Sequence, residues 1–222
     1  MFKMKEQYFN EDTIELESKY MLDKVKQFRR KQFFNPSKSA LLILDMQRYF
    51  LDPKSHAFIP SVPIILPRIK TLAQQFKNKN LPVITTRHLN SDDNAKLMKT
   101  WWRDMIREED PMSQITSDIS TYTTIIKHQY DAFYNTTLEK ILRDKKVEQI
   151  VVTGVMTHLC VESTIRSAFI RGFTVFLPID TTATYSKEFH LSSLLNLSHG
   201  FAIPTLSRDI IQTLEGYTDG ET

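Results

Sequence analysis

The sequence predicts an α/β fold, a doubly wound parallel sheet layered between helices. Three observations carry this. Short apolar runs alternate along the chain with longer amphipathic stretches, the pattern of a parallel sheet with crossover helices. One run, QIVVTGV at 149–155, is continuous and β-branched, as a strand buried on both faces requires. The 222 residues, 41% hydrophobic and 25% charged, suffice for one packed core and are tight for two.

In chain order, an acidic start at Glu11 and Asp12 precedes Ile14, Met21, Leu22, Val25 and Phe28 near helical spacing, which predicts a first helix. SALLILD at 39–45 is the first strand. Ile69, Leu72, Ala73 and Phe76 share a helical face over 67–79, with Pro67 at its start and Asn80 at its stop. LPVITTRH at 81–88 is the second strand, and 95–107 reads as a helix. TTIIKH at 123–128 is a third strand, followed by a helix over 137–145 and the fourth strand at 149–155. That strand leads through 156–159 into a helix beginning at Cys160 and stopping near Gly172. TVFLPID at 174–180, a helix over 188–198 and FAIPTL at 201–206 complete five or six strands. We expect residues 1–36 to be a helical extension packed on a domain over 37–215, with a polar, frayed tail over 216–222.

Composition excludes several classes. With 29 basic and 26 acidic residues the net charge is +3, too small an excess to direct the chain to nucleic acid. The single cysteine, Cys160, rules out an intrachain disulfide and a thiolate-rich zinc site, and it fits a reducing, cytoplasmic compartment. The charged first thirty residues hold no signal-peptide core, and no apolar run is long enough to span a membrane.

In doubly wound sheets the ligand sits at the carboxyl ends of the strands. Those ends carry Asp45, then Arg87 and His88, then Lys127 and His128, and past the fourth strand, in the first turn of the next helix, stands Cys160. A carboxylate, an amine and a thiol at neighbouring strand mouths supply the base, the electrostatic partner and the nucleophile of acyl transfer. Taken singly each has a plainer explanation, because a lone cysteine is commonly core packing and a strand-end Asp is commonly a cap.

Together the motifs resemble a known family. LLILDMQRYF around Asp45, IIKHQYDAFYNTTLEKIL around Lys127 and VVTGVMTHLCVESTIRSAFIRGF around Cys160 follow the order and spacing of the isochorismatase-like cysteine hydrolases, over about residues 36–210. The resemblance implies a three-layer α/β/α sandwich with a six-stranded parallel sheet in Rossmann-like order. It also implies a catalytic triad of Asp45, Lys127 and Cys160, a cis peptide between Val155 and Met156, and an oxyanion hole from the N–H groups of Met156 and Cys160. His88, Arg87, Trp102 and Phe133 are the expected substrate contacts, and His158 and Glu162 are expected outside the site. Where nicotinamidases of the family carry an Asp-x-His and a further His as a metal site, this chain reads TTRHLNSDDN, with only His88. We therefore expect no metal and no cofactor. A homodimer or homotetramer is expected by analogy.

The stretches DMQRYF, YDAFYNTTLEKIL and YSKEFHLSSL are similar to the isochorismatases of siderophore and phenazine pathways. Those enzymes hydrolyse a vinyl ether and commonly carry glycine at the position of Cys160. The cysteine points instead to a branch that cleaves the C–N bond of a small carboxamide or ureido substrate through a thioester. The alternatives are an isochorismatase with an incidental cysteine, or a non-catalytic binding member of the family.

Overall fold

The strand β1 (Ser39–Leu44) is buried at all six positions, which only a central strand covered on both faces achieves. The computed structural model describes residues 5–28 and 30–218. In it β1 lies between β2 (Val83–His88) and β4 (Gln149–Val155), each paired with it in parallel. The order across the sheet is β3 (Thr123–Lys127), β2, β1, β4, β5 (Thr174–Pro178), β7 (Ile203–Thr205). All six strands are parallel, as the resemblance implied, and a two-residue strand, β6 (Thr182–Ala183), adds to the end of β4 beyond β5.

Strand order reverses between β1 and β4, so the connections leaving these two strands diverge and open a crevice at their carboxyl ends. Gly154 makes the β1–β4 pairing possible. Its φ is +104°, and a Cβ there would stand 2.1 Å from the Leu44 carbonyl oxygen.

The helices depart from expectation in instructive ways. The first, α1 (Ile14–Val25), buries Ile14, Ser18, Met21 and Val25 along one stripe. After the single turn α2 (Arg48–Leu51), α3 (Val62–Asn78) begins five residues before the expected 67. Its buried stripe of Val62, Ile65, Ile69, Leu72, Ala73 and Phe76 runs straight through Pro67, and burying that stripe outweighs the one backbone hydrogen bond that Pro67 forfeits. The expected helix over 95–107 is a correction: only one turn forms, α4 (Met98–Trp101). Trp102 turns to extended backbone, and the Asn90 N–H donates to the Ile106 carbonyl at 2.7 Å, so a tertiary bond overrides the local periodicity.

Helix α5 (Leu138–Asp144) follows β3, and a π-helical turn, Thr157–Val161, carries β4 into α6 (Glu162–Ile170). Gly172 ends this region with φ +82°. After α7 (Lys187–Gly200) and β7 comes a helix unassigned from sequence, α8 (Ser207–Glu215), with Ile210 and Leu214 buried. Asp180 anchors its start, accepting from the Ser207 N–H at 2.8 Å and from the Ser207 hydroxyl. The expected fraying of the tail falls partly on 219–222, outside the described residues. Among the described residues no helix is long and apolar enough to cross a membrane.

Candidate active site

Asp45 is the residue at which the chain turns off the end of β1. It adopts φ +52°, a conformation Asp tolerates better than most residues, and this aims its carboxylate back over the strand ends. Thr86 fixes it twice, accepting from the Asp45 N–H at 3.1 Å and donating to Asp45 Oδ1 at 2.6 Å. Lys127 ends β3, and Cys160 stands in the π-helical turn after the cis Val155–Met156 peptide.

These elements converge on one ammonium. Lys127 Nζ is 2.8 Å from Asp45 Oδ2, 3.1 Å from His88 Nδ1, 3.0 Å from the Gln129 carbonyl and 3.3 Å from Cys160 Sγ. Asp45 and Lys127 are wholly buried. The ammonium meets Oδ2 as an ion pair, and the Cys160 thiol lies within reach of the same carboxylate. Oxygen, imidazole nitrogen and sulfur of Asp45, His88 and Cys160 all lie within 4.8 Å of one another.

The charges follow from this packing. Burial works to raise the Asp45 pKa, but the Lys127 ammonium, with help from His88 and the thiol, holds it below the usual carboxylate value. Burial likewise works against a charged Lys127, and Asp45 overrides it, holding the amine protonated past its ordinary range. Burial and the neighbouring carboxylate push the Cys160 thiol well up, against a smaller opposing pull from Lys127. His88 is lowered to about 4 by burial and by the ammonium facing it. At neutral pH the resting cluster is a carboxylate, an ammonium, a neutral imidazole and a thiol.

A metal ion does not fit this set. Asp45, His88 and Cys160 have the chemistry of ligands, but the point they enclose is filled by the Lys127 ammonium, and the other ring nitrogen of His88 is engaged with Asn90 Oδ1 at 2.8 Å.

Above the cluster lies a cavity of about 80 Å³ with Cys160, His88 and Met156 in its walls. Trp102 lines it, donating from Nε1 to the Tyr130 hydroxyl at 2.7 Å. His88 presents its ring, while both its nitrogens are committed to Lys127 and Asn90. Two expected substrate contacts stand elsewhere. Arg87, one position from His88 on β2, points to the opposite face and donates to the Ser113 carbonyl and hydroxyl and to the Glu108 carbonyl. Phe133 packs away from the cavity, stacked on Phe173 at 5.9 Å with the Arg171 guanidinium over its ring. His158, expected outside the site, stacks on Phe189 and bonds Thr184.

Sequence reasoning missed Tyr49, Phe50, His56, Asp104 and Tyr185, which also stand in the walls. His56 links two of them, with Nδ1 3.1 Å from Asp104 and Nε2 3.3 Å from the Tyr49 hydroxyl. Among the described residues no Lys or Arg lines the cavity.

The model of the isochorismatase domain matches residues 39–209. The chain belongs to the isochorismatase family. It is 36% identical to nicotinamidase 3 of Arabidopsis thaliana over 180 residues, 78% of this chain and 87% of that one. To enterobactin synthase component B of Escherichia coli K12 it is 30% identical over 167 residues, 72% of this chain but only 58% of that protein's length. Its fold matches the crystal structure of a cysteine hydrolase from Pseudomonas syringae pv. phaseolicola with a TM-score of 0.80, at 24% identity, covering 85% of this chain and 97% of the other. The protein is thus an isochorismatase-family hydrolase.

Proposed function

We propose that this hydrolase is a cysteine amidohydrolase acting on a small carboxamide, with Cys160 as nucleophile, Asp45 as base and then acid, and Lys127 as the electrostatic anchor of both. The observation that supports it most is the contact of Cys160 Sγ with the same ammonium that pairs with Asp45, at the floor of the cavity.

Asp45 takes the thiol proton as Sγ attacks the amide carbon, and the carbonyl oxygen becomes an oxyanion received by the N–H groups of Met156 and Cys160. The C–N bond then breaks, Asp45 returns its proton to the leaving nitrogen, and ammonia departs from a thioester. Water enters, gives its proton to Asp45 and attacks the thioester. Collapse breaks the C–S bond, the acid leaves, and the thiolate recovers the proton from Asp45.

Isochorismate, by contrast, carries two carboxylates. With Arg87 turned away and no Lys or Arg among the described wall residues, the cavity offers those carboxylates no side-chain cation, whereas its Tyr, Trp and Phe rings suit a neutral planar amide. The similarity to a nicotinamidase agrees with this reading.

The test compares wild type with Cys160→Ala on an amide panel, read by ammonia, and on isochorismate, read by pyruvate. Ammonia release abolished in the mutant is expected. Pyruvate release that survives the mutation overturns the proposal in favour of ether hydrolysis, and ligand binding without turnover favours a binding role.

A further inference from the structure

The segment 5–9 lies thirty residues before the matched domain, yet it is tied to two loops that build the cavity. Lys5 Nζ donates to the His56 carbonyl and sits 4.3 Å from the centroid of the Tyr185 ring, so one cation joins a cavity wall residue on each loop. The Glu6 N–H donates to the Tyr185 carbonyl at 2.8 Å, and the Glu6 carboxylate accepts from the Lys187 N–H at 2.8 Å, at the positive end of α7.

Two residues on, the N–H groups of Tyr8 and Phe9 share the buried Ser61 hydroxyl at 3.1 and 3.2 Å, fixing the loop that follows His56. The Tyr8 hydroxyl accepts from the Thr184 N–H at 3.0 Å and lies 2.8 Å from His190 Nδ1, fixing the loop that carries Tyr185. Tyr8 and Phe9 are buried, which anchors the segment so firmly that Lys5 is held where its ammonium acts.

We propose that residues 5–9 are a strap that sets the affinity of the cavity for its ligand, with Lys5 as the positioning residue that holds the His56 and Tyr185 walls together. Lys5 touches neither the triad nor the reacting atoms, so its loss loosens the walls without altering the chemistry. The substrate readout of this inference rests on the amidohydrolase reading; its alkylation readout does not.

Cys160 is the one cysteine of the chain, so its alkylation is read without ambiguity by mass. The experiment measures saturation kinetics of alkylation by N-phenyl iodoacetamide, whose ring must lodge among the aromatic walls, for wild type, Lys5→Met and Lys5→Arg. Lys5→Met is expected to raise the half-saturating concentration at least fivefold with the limiting rate within twofold, and Lys5→Arg to restore most of the affinity. KM on the amide substrate should rise in step while kcat stays. An unchanged half-saturating concentration, or a lost limiting rate instead, overturns the strap. If affinity shifts but no amide is hydrolysed by wild type, the strap stands and the amidohydrolase falls; if amides are hydrolysed and neither affinity nor KM moves, the strap alone falls. Lys5→Gln, measured beside Lys5→Met with melting temperatures, separates loosened walls from a loss of folding.

Discussion

Asp45→Asn should disable turnover while making Cys160 more reactive. The side chain keeps its shape and its acceptor toward Thr86, but the negative charge next to the sulfur is gone. Carboxylate oxygen and sulfur lie within 4.8 Å, so at an effective dielectric constant of about 20 their repulsion in the thiolate state is about 3.5 kcal/mol. At about 1.4 kcal/mol per decade, removing it multiplies the thiolate population a few hundredfold. A more stable thiolate is a weaker nucleophile, with a sensitivity of about one half, so the net gain in alkylation rate is about twentyfold. Turnover moves the other way, because no group is left to take the thiol proton or to return it to the leaving nitrogen, and a fall of about a thousandfold or more is expected. The assay pairs iodoacetamide alkylation at neutral pH with ammonia release on the same preparation. Turnover that survives within tenfold would refute the assignment of Asp45 as the base, and an alkylation rate that falls would refute the argument that its charge holds the thiolate down.

Gly154→Ala places a Cβ 2.1 Å from the Leu44 carbonyl at φ +104°, and it should cost more than about 4 kcal/mol; the yield and melting temperature of soluble protein report it. Arg87→Met should leave KM for a neutral amide within twofold while proteolysis within 108–113 accelerates, because Arg87 holds that segment; a tenfold rise in KM would return Arg87 to the substrate. His88 and His190 are lowered from about 6.5 unfolded to about 4 and about 3 by burial, so the native state binds fewer protons than the unfolded chain between these values. Their contribution is complete above pH 6.5 and is lost as pH falls toward about 4 for His88 and about 3 for His190, about 2 kcal/mol each by pH 5. The urea midpoint should fall accordingly between pH 7.5 and 5, and an unmoved midpoint would contradict this.

What was legible in the sequence is what local chemistry determines. The β-branched run 149–155 could only be a central strand, and β4 has those bounds. Asp45 and Lys127 stood at the ends of strands and Cys160 just past one, and in a parallel sheet all those ends lie on one side. The misses have physical causes too. Over 95–107 a helical spacing was present, but the Asn90 to Ile106 bond and the extended backbone at Trp102 decided the path. A signal against Arg87 was available: adjacent strand residues face opposite ways, so with His88 toward the site, Arg87 points away and Thr86 joins His88. The far wall of the cavity was illegible because His56 and Tyr185 are distant in sequence and meet it only through tertiary packing.

The Lys127 ammonium, with its ring of acceptors, has one more consequence. Carboxylate, ammonium and thiol sum to zero charge. Carboxylic acid, ammonium and thiolate sum to zero as well, and so do carboxylate, ammonium and thioester. Each proposed stage of the cycle is a relocation of one proton inside an envelope of constant charge, so the interior never has to solvate a net ion. Such a centre draws on bulk water for its nucleophile alone, and its acylation step should exchange no proton with the buffer beyond the one the departing ammonia takes up on reaching neutral solution.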